Sequence, residues 1–590
     1  MTDDRSPRLL WSEDGAPRSG RFGDVYFSRE DGLAESRAVF LAGCGLPEAW
    51  AGRDRFTVAE LGFGTGLNIA ALLDLWRRTR AEGARLHVFS VEAYPLNRDE
   101  AGRALAGWPE LGEAAGALLD AWPAPTPGFH RLDLPQFACT LDLAVGEVEW
   151  ALSQWSGLAD AWFLDGFAPS TNPTMWSDAV LDRVAALSAP DARLATFTVA
   201  GAVRRGLAGR GFAVEKRPGH GRKRERLEAC RPGPAPSGRR PSVAIIGAGI
   251  AGAALARAFR VLGAMPVVVE TDGPGAGASG FPASLVTPRL DVGDTEVAAL
   301  FAQALERSGD LYRTVPDAVL AAGVLQLEHS PRDARRHARV AAQDIWAPGA
   351  MTVLEAAACG DRLGEPVDSG GLLMRDALAV RGAAILASWL ADVRTLPALA
   401  ANLEKAEGGW RLQDEAGRTV AEADVVALAA GWGLAGLAPD LPLAPVAGQA
   451  DWVEGIDAPA AAWGGYAVPT GGGLLFGATH VRGETRPRPS AAATEANLST
   501  LAARLPHLAG EVRAARGGAR AAVRATTPDR LPVAGEIGDG VFVLGGLGSR
   551  GFCAAPLLAE HVAALAMGAP SPLPDSLAAR VSPTRFHHTL

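Results

Sequence analysis

The chain has 590 residues, several times the length of a typical domain, so a single hydrophobic core is not expected and two or three folding units are. Apolar residues make up 48% and charged residues 21%, which excludes disordered and fibrous classes, and the net charge of −9 argues against wholesale coating of nucleic acid. Five scattered cysteines, Cys44, Cys139, Cys230, Cys359 and Cys553, show neither CxxC nor metal-ligand spacing, so no disulfide frame, redox dithiol or metal site is expected.

The opening residues, MTDDRSPRLLW, carry acids where a signal peptide needs bases, and no run of about 18 apolar residues occurs, so a cytoplasmic chain without a membrane partner is expected. TVAELGFG (57–64) is an apolar strand ending in a glycine turn, LNIAALLDLWRR (67–78) spaces its apolar residues as a helix does, and LHVFSVEA (86–93) closes a βαβ unit. AWFLDGF (161–167) and RLATFT (193–198) read as later strands of a parallel sheet covered on both faces. In such a sheet ligands gather at the carboxyl ends of the strands. Glu60, Gly62, Phe63, Gly64, Gly66 and Asn68 make up the turn, and Glu92 ends the second strand, where an acid takes ribose hydroxyls. An acid before the first glycine is the form associated with S-adenosylmethionine methyltransferases rather than dinucleotide dehydrogenases. The plain alternative is a tight turn with a solvated Glu92.

FLDGFAPSTNPTMW (163–176) places Asp165 at a strand end, ahead of a proline-bearing loop suited to wall a flat substrate. Methyl transfer to an amine needs a neutral lone pair aimed at the sulfonium methyl, so Asp165 is the catalytic candidate, accepting the N–H bond or the proton. The alternative is an aspartate that caps a turn. Between Arg204 and Arg226 stand nine Lys or Arg against two Glu, among them Arg204, Arg205, Lys216, Arg217, Arg222, Lys223, Arg224 and Arg226. Such a patch can bind phosphate within an acidic protein, or be no more than a solvated face.

RPGPAPSGRRP (231–241) continues neither a helix nor a central strand and is read as a linker, giving domains at 1–230 and 242–590. VAIIGAGIAGAALARAFRVLGAMPVVVE (243–270) then presents strand, GxGxxG turn, helix, second strand and terminal acid in order. Gly247 makes the turn with Ala248, Gly249 admits the pyrophosphate ahead of Ile250, Gly252 lets helix pack on strand, and Glu270 suits ribose hydroxyls. A carboxylate there disfavours NADP without separating FAD from NAD. GASGFPASL (277–285) with Ala278 and Ser279, ADVVALAAG (423–431) with Gly431, and VFVLGGLGSRGF (541–552) with Gly546, Gly548 and Gly551 make that separation, since together they resemble the glycine oxidase and D-amino acid oxidase superfamily of FAD proteins. The superfamily inserts its substrate region between flavin-binding segments, here roughly 290–420 and 435–520. Its arginines hold a substrate carboxylate, and Arg524 and Arg550 are the candidates in this chain.

Taken in order, DVYFSREDGLAESRAVFLAGCGLP, ELGFGTGLN, DAWFLDGFAPSTNPTMW, LATFTVAGAVRRGL, KRPGHGRKRE, the flavin turn and ATTPDRLPVAG resemble the MnmC family of bifunctional tRNA wobble-uridine modification enzymes over nearly the whole chain. The resemblance implies an α/β fold class with two tandem nucleotide-cofactor domains. A Rossmann-like S-adenosylmethionine methyltransferase precedes a glycine oxidase-like FAD domain with an inserted mixed-sheet substrate region. It implies FAD-dependent removal of the carboxymethyl group from 5-carboxymethylaminomethyl-uridine as glyoxylate, then N-methylation of the aminomethyl product, with tRNA as partner and the basic segment on its backbone. Glu147, in LDLAVGE, stands where the family is expected to carry an aspartate toward the adenine. No obvious histidine base is legible in the flavin half. A monomer is expected. The competing reading is an amino-acid oxidase fused to a small-molecule N-methyltransferase; a scaffold or RNA-binding protein that has lost one chemistry is the other.

Overall fold

The computed structural model describes residues 6–13, 15–27, 31–221, 224–234 and 239–586. These fall into two compact units, Met1–Arg239 with Ala569–Asp575, and Arg240–Gly568 with Ser576–Leu590. No helix among the described residues is long and apolar enough to cross a membrane.

In the first unit, β1 (Arg55–Leu61) is buried along all but its first residue, as a strand covered on both faces must be. Gly66, at φ 80°, turns the chain into α1 (Leu67–Thr79), whose buried residues include Leu67, Asn68, Leu72, Leu73 and Trp76 and whose last turn ends on Arg77 and Arg78 against the helix dipole. The chain continues through β2 (Arg85–Glu92), β3 (Gly128–Leu134), β4 (Cys139–Val145), β5 (Ala159–Leu164), β6 (Ser188–Thr196), β7 (Ala213–Pro218) and β8 (Glu225–Cys230). Their order in the sheet is β3-β4-β2-β1-β5-β6-β8-β7. The five strands from β4 to β6 run parallel, β3 and β8 run antiparallel to them on either side, and β7 closes the edge by pairing antiparallel with β8. Strand order therefore reverses between β1 and β5, which opens a crevice at their carboxyl ends.

The second unit holds a six-stranded sheet of β9 (Val243–Ile246), β10 (Val267–Val269), β11 (Arg394–Leu396), β12 (Val425–Leu428), β13 (Val533–Gly538) and β14 (Val541–Gly545), in the order β11-β10-β9-β12-β14-β13. Only β13 is antiparallel. Helix α2 (Ile250–Val261) is alanine-rich and buried along most of its length. A ten-stranded mixed sheet is built from segments between Ser284 and Thr526, with its longest pairing between Ala444–Glu454 and Gly517–Thr526. Helix α3 (Pro331–Ala341) lies among those segments. The strand β11 falls inside the 290–420 stretch yet closes the edge of the nucleotide sheet. Helix α4 (Gly551–Met567), which packs on α2, contains Pro556. Proline has no N–H for the carbonyl four residues back, that of Phe552, and the Tyr312 hydroxyl donates to it instead at 2.6 Å.

Candidate functional site

At the β1/β5 crevice of the first unit, the Asp165 N–H donates to the Leu61 carbonyl at 3.1 Å. Gly62 sits at φ 99°, and a Cβ there would stand 2.3 Å from the Asp165 carbonyl oxygen, so this turn admits only glycine. A cavity of about 810 Å³ opens above it, lined by Gly62, Phe63, Gly64, Asn68, Glu92, Glu147 and Asp165 together. The Glu92 carboxylate accepts the Gly64 N–H at 3.0 Å and the Tyr94 N–H at 2.9 Å, and burial raises its pKa. Glu147 accepts the Tyr94 hydroxyl at 3.4 Å on the same cavity wall. Gly66 shapes the turn as the residue before α1, and Glu60 lies one layer behind the lining.

Glu60 is fully buried and accepts the Ser90 hydroxyl at 2.6 Å and the Asn68 amide at 3.2 Å. Burial pushes its pKa well above the ordinary value despite those bonds, and the nearby Asp165 adds to the rise. The same Asn68 amide nitrogen donates to Asp165 Oδ2 at 2.7 Å. One amide thus bridges both carboxyl groups and fixes Asp165 toward the cavity. Sequence reasoning missed the aromatic wall. Phe22, Tyr26 and Tyr94 line the cavity with Phe167, Phe22 lying 4.9 Å from Phe167 and Tyr26 lying 5.6 Å from it, centroid to centroid. The missed signal is the aromatic cluster FGDVYF (22–27), which packs on Gly64 through the Tyr26 ring.

The basic segment runs from the helix Gly201–Ala208, which carries Arg204 and Arg205, into the β7–β8 hairpin, whose tip residue His220 lines the same cavity. Much of its charge is internally matched. Lys216 pairs with Glu225 at 2.7 Å, Arg217 with Glu215 at 2.5 Å, Arg226 with Glu228 at 2.6 Å, and Arg210 with Asp182 at 2.7 Å. Arg204, Arg205 and Arg224 are exposed and carry no ion pair among the described residues. Arg222 and Lys223 lie outside the described residues.

In the second unit the GxGxxG turn repeats the device. Glu270 accepts the Ala248 N–H at 2.8 Å and the Asp272 N–H at 3.1 Å. Gly247, at φ 108°, stands against the end of β12, where a Cβ would meet the Ala429 carbonyl at 2.5 Å, two residues before Gly431. A Cβ on Gly252 would meet the Gly247 carbonyl at 1.8 Å, so the helix could not approach the turn with any larger residue. Ser279, next to Ala278, accepts the Ile250 N–H at 3.0 Å and lies 3.2 Å from where a Gly249 Cβ would be. This cradle of backbone N–H groups at a helix start fits a pyrophosphate.

Gly546 and Gly548, at φ 62° and 52°, carry the chain from β14 toward Gly551 at the start of α4. Together with Arg550 they line a cavity of about 500 Å³. The Arg550 guanidinium is half-buried and donates to the Thr287 hydroxyl. Arg524 lies on the strand Gly517–Thr526, stitched to this loop by the Gly548 N–H to Ala525 carbonyl bond at 3.0 Å. Burial lowers the pKa of both guanidinium groups, and no carboxylate among the described residues pairs with either. Tyr466 and His480 stand beside Arg524. Burial pushes the Tyr466 hydroxyl up to about 12 against the pull of Arg524, and burial together with Arg524 lowers the pKa of His480. Neither residue was legible as a site residue, since each reaches Arg524 only through sheet pairing.

Residues 109–232 match a family model described as S-adenosyl-L-methionine-dependent methyltransferase, and residues 242–565 match one described as FAD dependent oxidoreductase. The chain is 56% identical to the tRNA 5-methylaminomethyl-2-thiouridine biosynthesis bifunctional protein MnmC of Caulobacter sp. (strain K31), over 99% of this chain and 98% of that relative. It is 57% identical to the protein of the same description from Caulobacter vibrioides, with the same coverage. Among solved structures, iminodiacetate oxidase from Chelativorans sp. BNC1 matches with a TM-score of 0.51 and 23% identity, over 58% of this chain and 98% of that one. At that identity the likeness concerns the fold.

Proposed function

The chain belongs to the MnmC family of bifunctional tRNA 5-methylaminomethyl-2-thiouridine biosynthesis proteins, and from that membership we propose two consecutive reactions on one tRNA wobble uridine. The 242–590 domain removes the carboxymethyl group from 5-carboxymethylaminomethyl-uridine as glyoxylate, leaving an aminomethyl group. The 1–230 domain, joined through 231–241, then methylates that amine from S-adenosylmethionine. The reading rests on the relationship running through both units in the same order, 56% identical over 99% of the chain. On this reading the enzyme acts as a monomer in the cytoplasm, where its tRNA is.

Bound FAD supplies the two-electron acceptor for oxidation of the C–N bond. Gly247 to Gly252, Glu270 and Ser279 would hold it. Arg524 and Arg550, half-buried and without a carboxylate partner among the described residues, take the substrate carboxylate, and the raised Tyr466 hydroxyl stays protonated to donate beside Arg524. The depressed pKa of His480 keeps its imidazole neutral next to Arg524. In the first unit the Gly62–Gly66 turn, Glu92 and Glu147 would hold S-adenosylmethionine, which supplies the methyl group. Asp165, aimed by Asn68, would accept an N–H of the amine and so orient its lone pair, while Phe22, Tyr26 and Phe167 would exclude water and flank the uracil.

Mass spectrometry of wobble nucleosides tests this, after incubating the protein with carboxymethylaminomethyl-modified tRNA. Aminomethyl-uridine is expected without S-adenosylmethionine and methylaminomethyl-uridine with it; Asp165→Ala is expected to stop at aminomethyl-uridine. If no tRNA product forms while free amino acids are oxidised, the small-molecule reading replaces this one.

A further inference from the structure

The oxidase unit carries a cationic surface outside the glycine turns and the β7–β8 hairpin. Arg332, Arg335, Arg336 and Arg339 stand at i, i+3, i+4 and i+7 of α3, on one face of the helix, while His337 and Val340 are buried on another. All four arginines are exposed. The stripe runs for about 10 Å along the helix axis, enough to meet more than one phosphate of a strand.

Its location ties it to the flavin-side cavity. Arg336 donates to the Leu290 carbonyl, Arg339 donates to the Val292 carbonyl at 3.0 Å, and Gln343 donates to the Asp291 carbonyl at 2.9 Å. α3 is thereby clamped onto 290–292, which walls the cavity containing Arg550. Arg289, Arg336 and Arg530 line that cavity too. The neighbouring acids are engaged: Asp291 pairs with Arg289 at 3.2 Å, Asp529 pairs with Arg585 at 2.8 Å, and Asp333 accepts the His329 and Ser330 N–H groups at the start of α3. Arg332, Arg335 and Arg530 have no ion pair among the described residues.

A small amino acid presents one carboxylate, which Arg550 in the cavity wall suffices to hold. Arg332, Arg335 and Arg530, which form no ion pair among the described residues, are not needed to hold such a molecule, and their placement beside Arg336 and Arg339 suits a polyanion whose reactive side chain enters the cavity while its backbone stays outside. We propose that the α3 arginine stripe, with Arg530, binds the backbone phosphates flanking the substrate nucleoside, so that the oxidase unit grips RNA on its own surface. This rests on the RNA-borne substrate read above. Since exposed arginines mainly neutralise phosphates, the contact is electrostatic and dependent on salt.

The test is binding of fluorescently labelled, unmodified tRNA to the full-length, FAD-loaded protein across a series of salt concentrations. For R332E/R335E we expect roughly tenfold weaker binding and a plot of log affinity against log salt shallower by about 1 to 2. FAD absorbance and melting temperature are expected to match wild type, and R332Q/R335Q serves if the reversal disturbs folding. Arg418→Glu, on an exposed strand connection elsewhere in the unit, is the charge control and should leave affinity unchanged. Unaltered affinity and slope in the stripe variants overturn the inference while leaving the RNA reading standing, as does an equal loss with Arg418→Glu. A loss of affinity for anionic vesicles without loss for tRNA assigns the stripe to a lipid surface and overturns it as well. If wild type itself shows no affinity for tRNA, the RNA reading falls and this inference with it.

Discussion

Asn68 decides how two carboxyl groups coexist at the methyltransferase crevice, because its single amide nitrogen serves both Glu60 and Asp165. Burial raises the pKa of Glu60, so the folded protein retains this proton at a pH where an unfolded glutamate has released it. By linkage, the stability from this group is fully present below the unfolded value of roughly 4.3 and is lost as pH rises through the raised folded value. Glu60→Gln, which keeps the shape without the charge, is therefore expected to melt several degrees above wild type at pH 8, the gap closing toward pH 4. Melting curves that stay parallel across that range would show that Glu60 is ionised in the fold. The acid before the first glycine was legible in the sequence as part of a motif. Its protonation was not, because it depends on burial between neighbouring strands and on Asp165, which the fold brings to it from far along the chain.

At the scale of elements, the two glycine turns were readable because each is a contiguous solution to a local problem: backbone must bend at positive φ and pass close to a neighbouring carbonyl. Gly62 against Asp165 and Gly247 against Ala429 meet that demand in the same way. Helix α4 shows the opposite case. Pro556 within the helix is locally adverse, and the fold compensates because Tyr312 donates to the carbonyl it leaves open. Tyr312→Phe should cost about 1 to 3 kcal/mol by leaving that carbonyl unsatisfied in the interior. Denaturant unfolding followed by flavin release checks this, and an unchanged midpoint would mean another donor replaces the hydroxyl. The β7–β8 hairpin is a further element that composition misweighted. Counting Lys and Arg registered a strong positive run, whereas strand pairing sets Glu215, Glu225 and Glu228 among those cations.

At the scale of the molecule, the chain returns late to its first unit, since Ala569–Asp575 clusters with Met1–Arg239. Arg131 donates to the Pro570 carbonyl at 3.2 Å while holding Asp142 through two bonds of 2.7 Å. Burial raises the Asp142 pKa, but the Arg131 charge and hydrogen bonds, with His87, outweigh it and bring the value down to about 2. Leu573 in the returning segment is fully buried, and loss of such a side chain costs about 2 to 5 kcal/mol. Replacing 569–575 by a Gly-Ser stretch of equal length should lower the melting temperature of the methyltransferase unit and leave FAD content intact; an unchanged melt would show that the segment adds nothing. The sequence by itself determined the two cofactor turns, their acids, their order and the family, because those features reside in short contiguous spans whose backbone chemistry is local. The tertiary structure alone decided which cations stand free, how the aromatic wall closes on Gly64, and that Tyr466 and His480 flank Arg524. Those relations join residues far apart in the chain, and strand order and register set them.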